Sequence, residues 1–580
     1  MFMFEIKDKF YLDGEPFQII SGSIHYFRTV PEYWRDRLEK LVNMGCNTVE
    51  TYIPWNFHEP KHGEFLWEGM HDICRFIETA RELGLYMIIR PSPYICAEWE
   101  FGGLPAWLLA DKGMRLRCSY KPYLDAVYEY YRELMPRLAP YQSDRGGNVI
   151  LIQIENEYGY YGNDTAYLEF LRDTMREFGI TVPFVTSDGP WSEPIFKSGM
   201  VEGALPTGNF GSSAEWQFGQ MRKFIGDDKP LMCMEFWNGW FDAWGEEHHT
   251  TAPEKAAAEL DELLKHGSVN FYMFEGGTNF GFMSGRNSGN KTADVTSYDY
   301  DAPLTEDGRI TEKYEQFKNV ISKYRDFEPI PLTADIRRKS YGEIACSGKV
   351  DLFSVIGKIS APVKSAYPLS MEEIGQNYGY ILYRLRVDGE ITGIWLENAA
   401  DRVMCFRDGE RLFDVEGNGL YQKYEPDGTV PGGTVDLLCE NVGRENFGTN
   451  LESQRKGILG GVKINDHRCF GYEIFPLPLD GEQISALDFG SECREGAPAF
   501  YRFEFNVDEP CDTFLDTEGF CRGCAFVNGF NLGRFWEIGP QKRLYVPAPL
   551  LKKGVNTIIL FETKNGCADK ILLSDVPDLE

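Results

Sequence analysis

Short, continuous apolar runs separated by amphipathic stretches fill the first three hundred or so residues of the chain. Eight runs read as strands, at residues 18–21, 48–52, 86–90, 149–154, 184–187, 202–205, 231–234 and 269–274. Most are apolar throughout, as a parallel sheet covered on both faces requires; 202–205 is the weakest. Between them the spacing predicts helices over 33–44, opened by Pro31 and stopped by Gly45, over 70–83, stopped by Gly84, over 122–138, and over 253–265, stopped by Gly267. Eight strands alternating with helices predict a (β/α)8 barrel. A doubly wound open sheet is the runner-up, and the lack of a Gly-rich phosphate loop after the first run counts against it.

Beyond Tyr324 the helical period fades. Short β-rich stretches at 380–387, 434–439, 499–505 and 557–561 are separated by Gly, Pro, Asp and Asn turns, the texture of sandwiches or jelly rolls. The predicted class is α/β plus all-β: an N-terminal (β/α)8 TIM barrel over 1–328, then a first β domain over 329–480 that includes a linker at 329–334, then a second jelly-roll β domain over 481–580.

Composition narrows the class of partner. The chain has 59 Lys and Arg against 89 Asp and Glu, a net charge of −30, which disfavours phosphate backbones and so nucleic acid. Aromatic residues are 14% of the chain, with 12 Trp and 31 Tyr; these suit either a large core or the apolar face of a pyranose. Charges interrupt the N-terminal stretch Met1-Phe2-Met3-Phe4-Glu5-Ile6-Lys7-Asp8 at once, so neither an export signal nor a membrane span is expected. The 14 cysteines accordingly read as reduced thiols in a cytoplasm. Cys521 and Cys524 have metal or redox spacing, but no second pair matches them, so they read as two ordinary thiols.

In a barrel of this kind chemistry sits at the C-terminal ends of the strands. The chain offers Ser21-Gly22-Ser23-Ile24-His25-Tyr26 after the first run, Arg90 through Trp99 after the third, Glu155-Asn156-Glu157-Tyr158 after the fourth, Glu235-Phe236-Trp237 after the seventh, and Tyr272, Glu275 and Tyr298-Asp299-Tyr300-Asp301 after the eighth. Carboxylates, amides and aromatics dominate. No Ser or Cys nucleophile is set beside a His, and the adjacent His248 and His249 cannot face one metal, so they read as loop residues. Carboxylates with aromatics are what glycoside hydrolysis uses: one carboxyl protonates the leaving oxygen, while a second attacks the anomeric carbon or activates a water. Glu157 and Glu235 follow apolar runs and abut Tyr or Phe and Trp, which favours them, while Glu155, Glu98 and Glu275 remain open rivals. Arg90 reads either as the cation that keeps a nucleophile ionised or as half of a structural ion pair.

Several long stretches carry a resemblance. They are Ile24-His25-Tyr26, Tyr52-Ile53-Pro54-Trp55-Asn56-Phe57-His58-Glu59-Pro60, Arg90-Pro91-Ser92-Pro93-Tyr94-Ile95-Cys96-Ala97-Glu98-Trp99, Gln153-Ile154-Glu155-Asn156-Glu157-Tyr158-Gly159 and Ser297-Tyr298-Asp299-Tyr300-Asp301-Ala302-Pro303. With Val527-Asn528-Gly529-Phe530-Asn531-Leu532-Gly533-Arg534 near the end, the chain resembles the glycoside hydrolase family 35 β-galactosidases over nearly its full length, in particular the shorter bacterial intracellular members. The resemblance implies a retaining exo-β-galactosidase, with Glu157 (the Glu after an Asn on strand four) as acid/base and Glu235 as nucleophile. It places sugar contacts at Tyr52, Glu98, Asn156 and Tyr300, walls at Tyr272 and Trp240, and backbone contacts at Cys96 and Ala97. Asn148 and Trp237 depart from the family pattern; the first is expected to be harmless, the second to reshape the pocket rim.

The expected substrate is a galactose-terminated oligosaccharide, with β-1,3 preferred over β-1,4 linkages. No metal or organic cofactor is required, because two carboxylates suffice. A homodimer agrees with the resemblance, and the β domains are expected to buttress the barrel rather than act as lectins. Two other readings keep the fold: an exo-β-glucosaminidase, and a non-catalytic galactose-binding protein.

Overall fold

The computed structural model describes residues 3–289, 292–490 and 493–580; Met1 and Phe2 of the N-terminal stretch read above lie outside them. Eight strands, β1 (Ile20–Ile24), β2 (Thr48–Tyr52), β3 (Tyr86–Arg90), β4 (Val149–Gln153), β5 (Phe184–Asp188), β6 (Ala204–Asn209), β7 (Met232–Trp237) and β8 (Ser268–Glu275), close into a parallel barrel in sequence order. The (β/α)8 expectation holds, and the open sheet does not. The runs at 48–52 and 86–90 match their strands to the residue. β1, β6 and β7 run further toward the C-terminal end than their apolar runs suggest, because the upper barrel interior is polar. There Ser23 donates to Glu50, and Asn270 donates to Ser23 at 2.8 Å. Buried side chains that satisfy one another erase the apolar signal without ending the strand. Glu235 therefore lies within β7 rather than after it.

The helices lie outside the barrel and present one apolar face inward. Trp34–Met44 buries Trp34, Leu38, Leu41 and Met44, a helical stripe, and stops at Gly45, whose φ of 99° is left-handed. Helices Thr165–Glu177, Ala214–Ile225 and Glu312–Ile321, which the sequence reading did not single out, complete the ring. The first and last of these are capped by Asp164 and Thr311, whose side chains accept from backbone N–H groups.

An N-terminal hairpin plugs one end of the barrel. Phe4 and Phe10 pack with Ile88, Ile150, Val185, Met232 and Met234 from the strands. The C-terminal mouth is the end of the barrel left open. No helix among the described residues is long and apolar enough to cross a membrane.

After residues 325–337, which form neither helix nor strand, the chain builds a six-stranded and an eight-stranded antiparallel sheet with smaller attachments. The first long strand past this linker, Gly342–Asp351, pairs with Ala499–Val507 and Lys570–Ser574, so the eight-stranded unit is made from two separated chain segments. A shared core that includes Leu382, Phe406, Phe500, Phe526 and Phe561 joins the two sheets and takes in Phe282 from a barrel loop. The first β domain also reaches the barrel mouth. Glu445–Phe447 pairs in parallel with Arg286–Asn287, and buried Arg444 donates at 2.5 Å to Glu100 of the barrel and to Glu372 of its own domain.

Candidate active site

Glu157 and Glu235 open into one cavity of about 260 Å3 at the barrel mouth. Of the ten residues expected there, nine line it: Cys96, Ala97, Glu98, Asn156, Glu157, Glu235, Trp240, Tyr272 and Tyr300. Tyr52 lies behind the wall, buried, and donates its hydroxyl to Glu235 Oε1 at 2.8 Å.

The two carboxylates have opposite surroundings. Glu235 accepts from Arg90 at 2.6 Å, from Tyr52, and from the Trp237 indole N–H at 3.1 Å. Arg90 also donates to Asn156 Oδ1 at 2.6 Å and Gln153 at 2.9 Å, stacks over the Tyr52 ring at 3.9 Å, and lies 3.7 Å from Glu50. It is thus both a partner of Glu235 and part of a buried ion-pair network. Glu157 accepts one hydrogen bond, from Asn209 at 3.0 Å. Burial among aromatic walls, then the charge on Glu235, push its carboxyl well above the ordinary carboxylate range; Asn209 and Arg90 oppose the shift without cancelling it. One carboxyl surrounded by donors and one that favours its proton are the pair that acid-assisted nucleophilic displacement needs.

Glu98 is held by a third network. Tyr298 donates to it, and Arg28 stacks over the Tyr298 ring at 3.8 Å while donating to the Ala97 carbonyl at 2.5 Å and to Asn279 at 2.8 Å. Burial pushes Glu98 up to about 7, with Tyr298 and Arg28 pulling the other way. Cys96, Ala97 and Glu98 have φ of 58°, 56° and 49°, and Glu157 and Tyr300 have 48° and 63°. Left-handed backbone at non-glycine residues costs about 1–3 kcal/mol each and persists where the surroundings over-determine it. Here Gly285 N–H donates to the Glu98 carbonyl at 2.9 Å and Glu157 N–H to the Ser187 carbonyl at 3.0 Å. Gly239 and Gly276 let the 298–301 loop lie on the strand ends, since a Cβ would meet the Tyr300 carbonyl oxygen at 1.8 Å or the Tyr298 one at 1.5 Å.

Glu98 shares the cavity, while the other two rivals fall elsewhere. Glu155 makes a two-pronged pair with Arg117, at 2.9 and 2.8 Å, and accepts from Tyr167. Glu275 is buried against Thr29 and Arg37, outside the cavity. His248 and His249 both face Asp242, and no cluster of three or more metal-ligating residues exists among the described residues. Asn148, buried, donates to the Leu85 carbonyl at 3.0 Å, a structural role. Trp237 does more than shape the rim, since it bonds Glu235 directly.

Sequence reasoning missed Tyr160, Trp191, Phe241, Asn287 and Phe447 of the wall, and Asn209 behind Glu157. Trp191 and Asn209 follow or end β5 and β6, so inspecting those two strand ends would have found them. Phe447 comes from the first β domain, and only the tertiary pairing of Glu445–Phe447 brings it to the mouth. Its ring meets Tyr160 at 5.9 Å; Tyr160, Trp191, Trp237 and Trp240 continue the rim with centroid steps of 6.0, 5.9 and 5.8 Å.

This barrel, with two unlike carboxylates at its mouth, has the architecture of a glycoside hydrolase, and comparison with known proteins gives the family. Residues 9–324 match Glycosyl hydrolases family 35. Residues 368–478 match the "Beta-galactosidase, first all-beta domain" and 498–556 the "Beta-galactosidase, galactose-binding domain". Among its relatives are human Beta-galactosidase-1-like protein 2 (40% identical, covering 95% of this chain and 88% of the relative), human Beta-galactosidase (38%, 97% and 87%) and Beta-galactosidase 17 of Arabidopsis thaliana (36%, 97% and 87%). The chain belongs to glycosyl hydrolases family 35. It is a glycoside hydrolase with the barrel-plus-all-β architecture.

Proposed function

We propose that the protein is a retaining exo-β-galactosidase that removes terminal non-reducing β-D-galactose by double displacement. Glu235 attacks the anomeric carbon while Glu157 protonates the leaving oxygen; Glu157 then takes a proton from the water that releases the sugar. The observation that carries this reading is the contrast within one cavity. Three donors surround Glu235, whereas Glu157 has one and sits where burial and a neighbouring negative charge favour its protonated form. The relatives named Beta-galactosidase support galactose as the sugar. The cavity, at about 260 Å3, lies just below the roughly 300–1,000 Å3 of ordinary small-molecule pockets, which suits one terminal ring better than a chain.

Asn156 Oδ1 is occupied by Arg90 and Gln153, so its amide N–H2 is the group offered to a sugar hydroxyl. Glu98, Tyr272 and Tyr300 line the same cavity. The β domains act as buttress and rim, through Phe447. A preference for β-1,3 over β-1,4 linkages belongs to the proposal; the crowded aromatic rim supports selectivity for the leaving group's shape. Location in a reducing compartment also belongs to it, and the fourteen free thiols fit one.

The test is to follow anomeric protons by NMR during hydrolysis of an aryl β-galactoside. The β-anomer must appear first; first appearance of the α-anomer would make the enzyme inverting. Faster turnover of the matched β-glucosaminide would replace galactose as the sugar, and equal rates on β-1,3 and β-1,4 disaccharides would remove the linkage preference.

A further inference from the structure

A second cavity, of about 570 Å3, lies where the barrel and both β domains meet, apart from the catalytic pocket. Its wall is built from two barrel loops, the one after β7 carrying Trp244 and the one after β8 carrying Arg286, from the first β domain around Asp401, Glu440 and Lys456, and from the eight-stranded sheet at Arg522, Arg534 and Trp536. Five of the lining residues are cationic (the four named, with Arg455) and three are anionic (Asp401, Glu416 and Glu440). In a chain of net charge −30, this positive excess is local.

The hydrogen-bond inventory is more specific. Arg534 is 5% exposed and gives one N–H to the Asn441 carbonyl at 2.7 Å. Its Nε and Nη1, and the indole Nε1 of Trp536, are buried with no hydrogen-bond partner among the described residues. Residues 534 and 536 sit two apart on the strand Phe530–Trp536, so they face the same side. Among the cavity's lining residues, every buried side-chain polar atom without a partner is therefore a donor. Arg522 stacks on the Trp536 ring at 3.8 Å, with its charge directed to Glu416 at 2.8 Å and Glu440 at 3.2 Å. Arg534 lies over the Phe282 ring at 5.0 Å and has no ion-pair partner within 4.0 Å among the described residues; burial pulls its guanidinium below the ordinary range, and the more distant charges of Glu440 and Glu100 oppose that without cancelling it. Buried donors without acceptors cost about 1–3 kcal/mol each, more when charged. An acceptor-only group with negative charge is what such a set recognises.

We propose that this cavity is a binding site for a small oxyanion (sulfate, phosphate or a carboxylate), held by Arg534 and Trp536 at the junction of the three folding units. A ligand there touches all three units at once and so ties the first β domain, which carries Phe447, to the barrel.

The test uses the intact protein, with sulfate, phosphate or galacturonate titrated at constant ionic strength against chloride. Binding is read by calorimetry and by the thermal midpoint. The expected result is saturable binding with a rise in midpoint that follows occupancy. Trp536→Phe, which keeps the ring and removes the donor, should weaken the affinity about tenfold, and Arg534→Lys should weaken it at least as much. Turnover of an aryl β-galactoside should stay within about twofold in Trp536→Phe. Tighter binding of galacturonate than of the inorganic ions supports the site with a sugar acid as its source; the reverse order supports it with a free ion. A rise that does not saturate and is equal in wild type and both variants would be general salt stabilisation and would overturn the proposal. Affinity unchanged in Trp536→Phe would also overturn it.

Discussion

The ends of β4 and β7 present the same side chain to the same cavity in opposite settings. At the end of β7, Glu235 is surrounded by Arg90, Tyr52 and Trp237. Just past β4, Glu157 has a single amide, from Asn209, and a left-handed backbone. Most of the donors that set the chemistry of each carboxyl come from other strands, Arg90 from β3, Tyr52 from β2 and Asn209 from β6, with Trp237 added by β7 itself. What each can do is a property of the barrel rather than of its own segment.

The comparison can be broken from either side. The largest effect is expected for Glu235→Gln, which removes the proposed nucleophile while keeping the shape. Turnover of an aryl β-galactoside should fall by about 10^4 or more, and near-full activity would dismiss the assignment. Glu157→Gln should cost about 10^2–10^4, less on substrates whose leaving group needs no proton. Its pH profile is the sharper readout. In its proposed role Glu157 must be protonated, so activity should be present below its raised pKa and lost as pH rises through it; in Glu157→Gln that alkaline limb should vanish. Arg90→Lys tests what makes Glu235 different. An ammonium cannot reach Glu235, Asn156 and Gln153 together, so kcat should fall about a hundredfold, the scale of losing an aligned donor. An effect on KM alone would reduce Arg90 to a structural role. Trp237→Phe removes one hydrogen bond to Glu235 and should cost about tenfold in kcat/KM, leaving the pH profile in place.

Much of this was legible in the chain. β2 and β3 could be placed to the residue because helix-ending Gly45 and Gly84 come just before 48–52 and 86–90, and Pro54 and Pro91 come just after. Glu157 and Glu235 stood out because both follow apolar runs and abut aromatics, and the family resemblance then set them apart from Glu98, Glu155 and Glu275. The barrel's polar interior hid the ends of β1, β6 and β7, since Ser23, Asn209 and Glu235 look like loop residues until their buried partners are known. The donors that separate Glu157 from Glu235 were partly visible: Arg90 was noted with two readings, and the structure joins both. Asn209 lies beyond 202–205, the run with the weakest signal, at the end of β6. Phe447 and the linkage of Gly342–Asp351 to the last sheet had no local signature, because each depends on pairing with residues more than a hundred positions away.

The most direct test of the role assigned to β7 is to trap its covalent intermediate. The intact protein would be incubated with a 2-deoxy-2-fluoro-β-galactoside bearing a good leaving group, digested, and mapped by mass spectrometry. The account predicts one fluorogalactosyl group, esterified to Glu235, with activity lost in step with labelling. A label on Glu157, or inactivation with no covalent adduct, would contradict it.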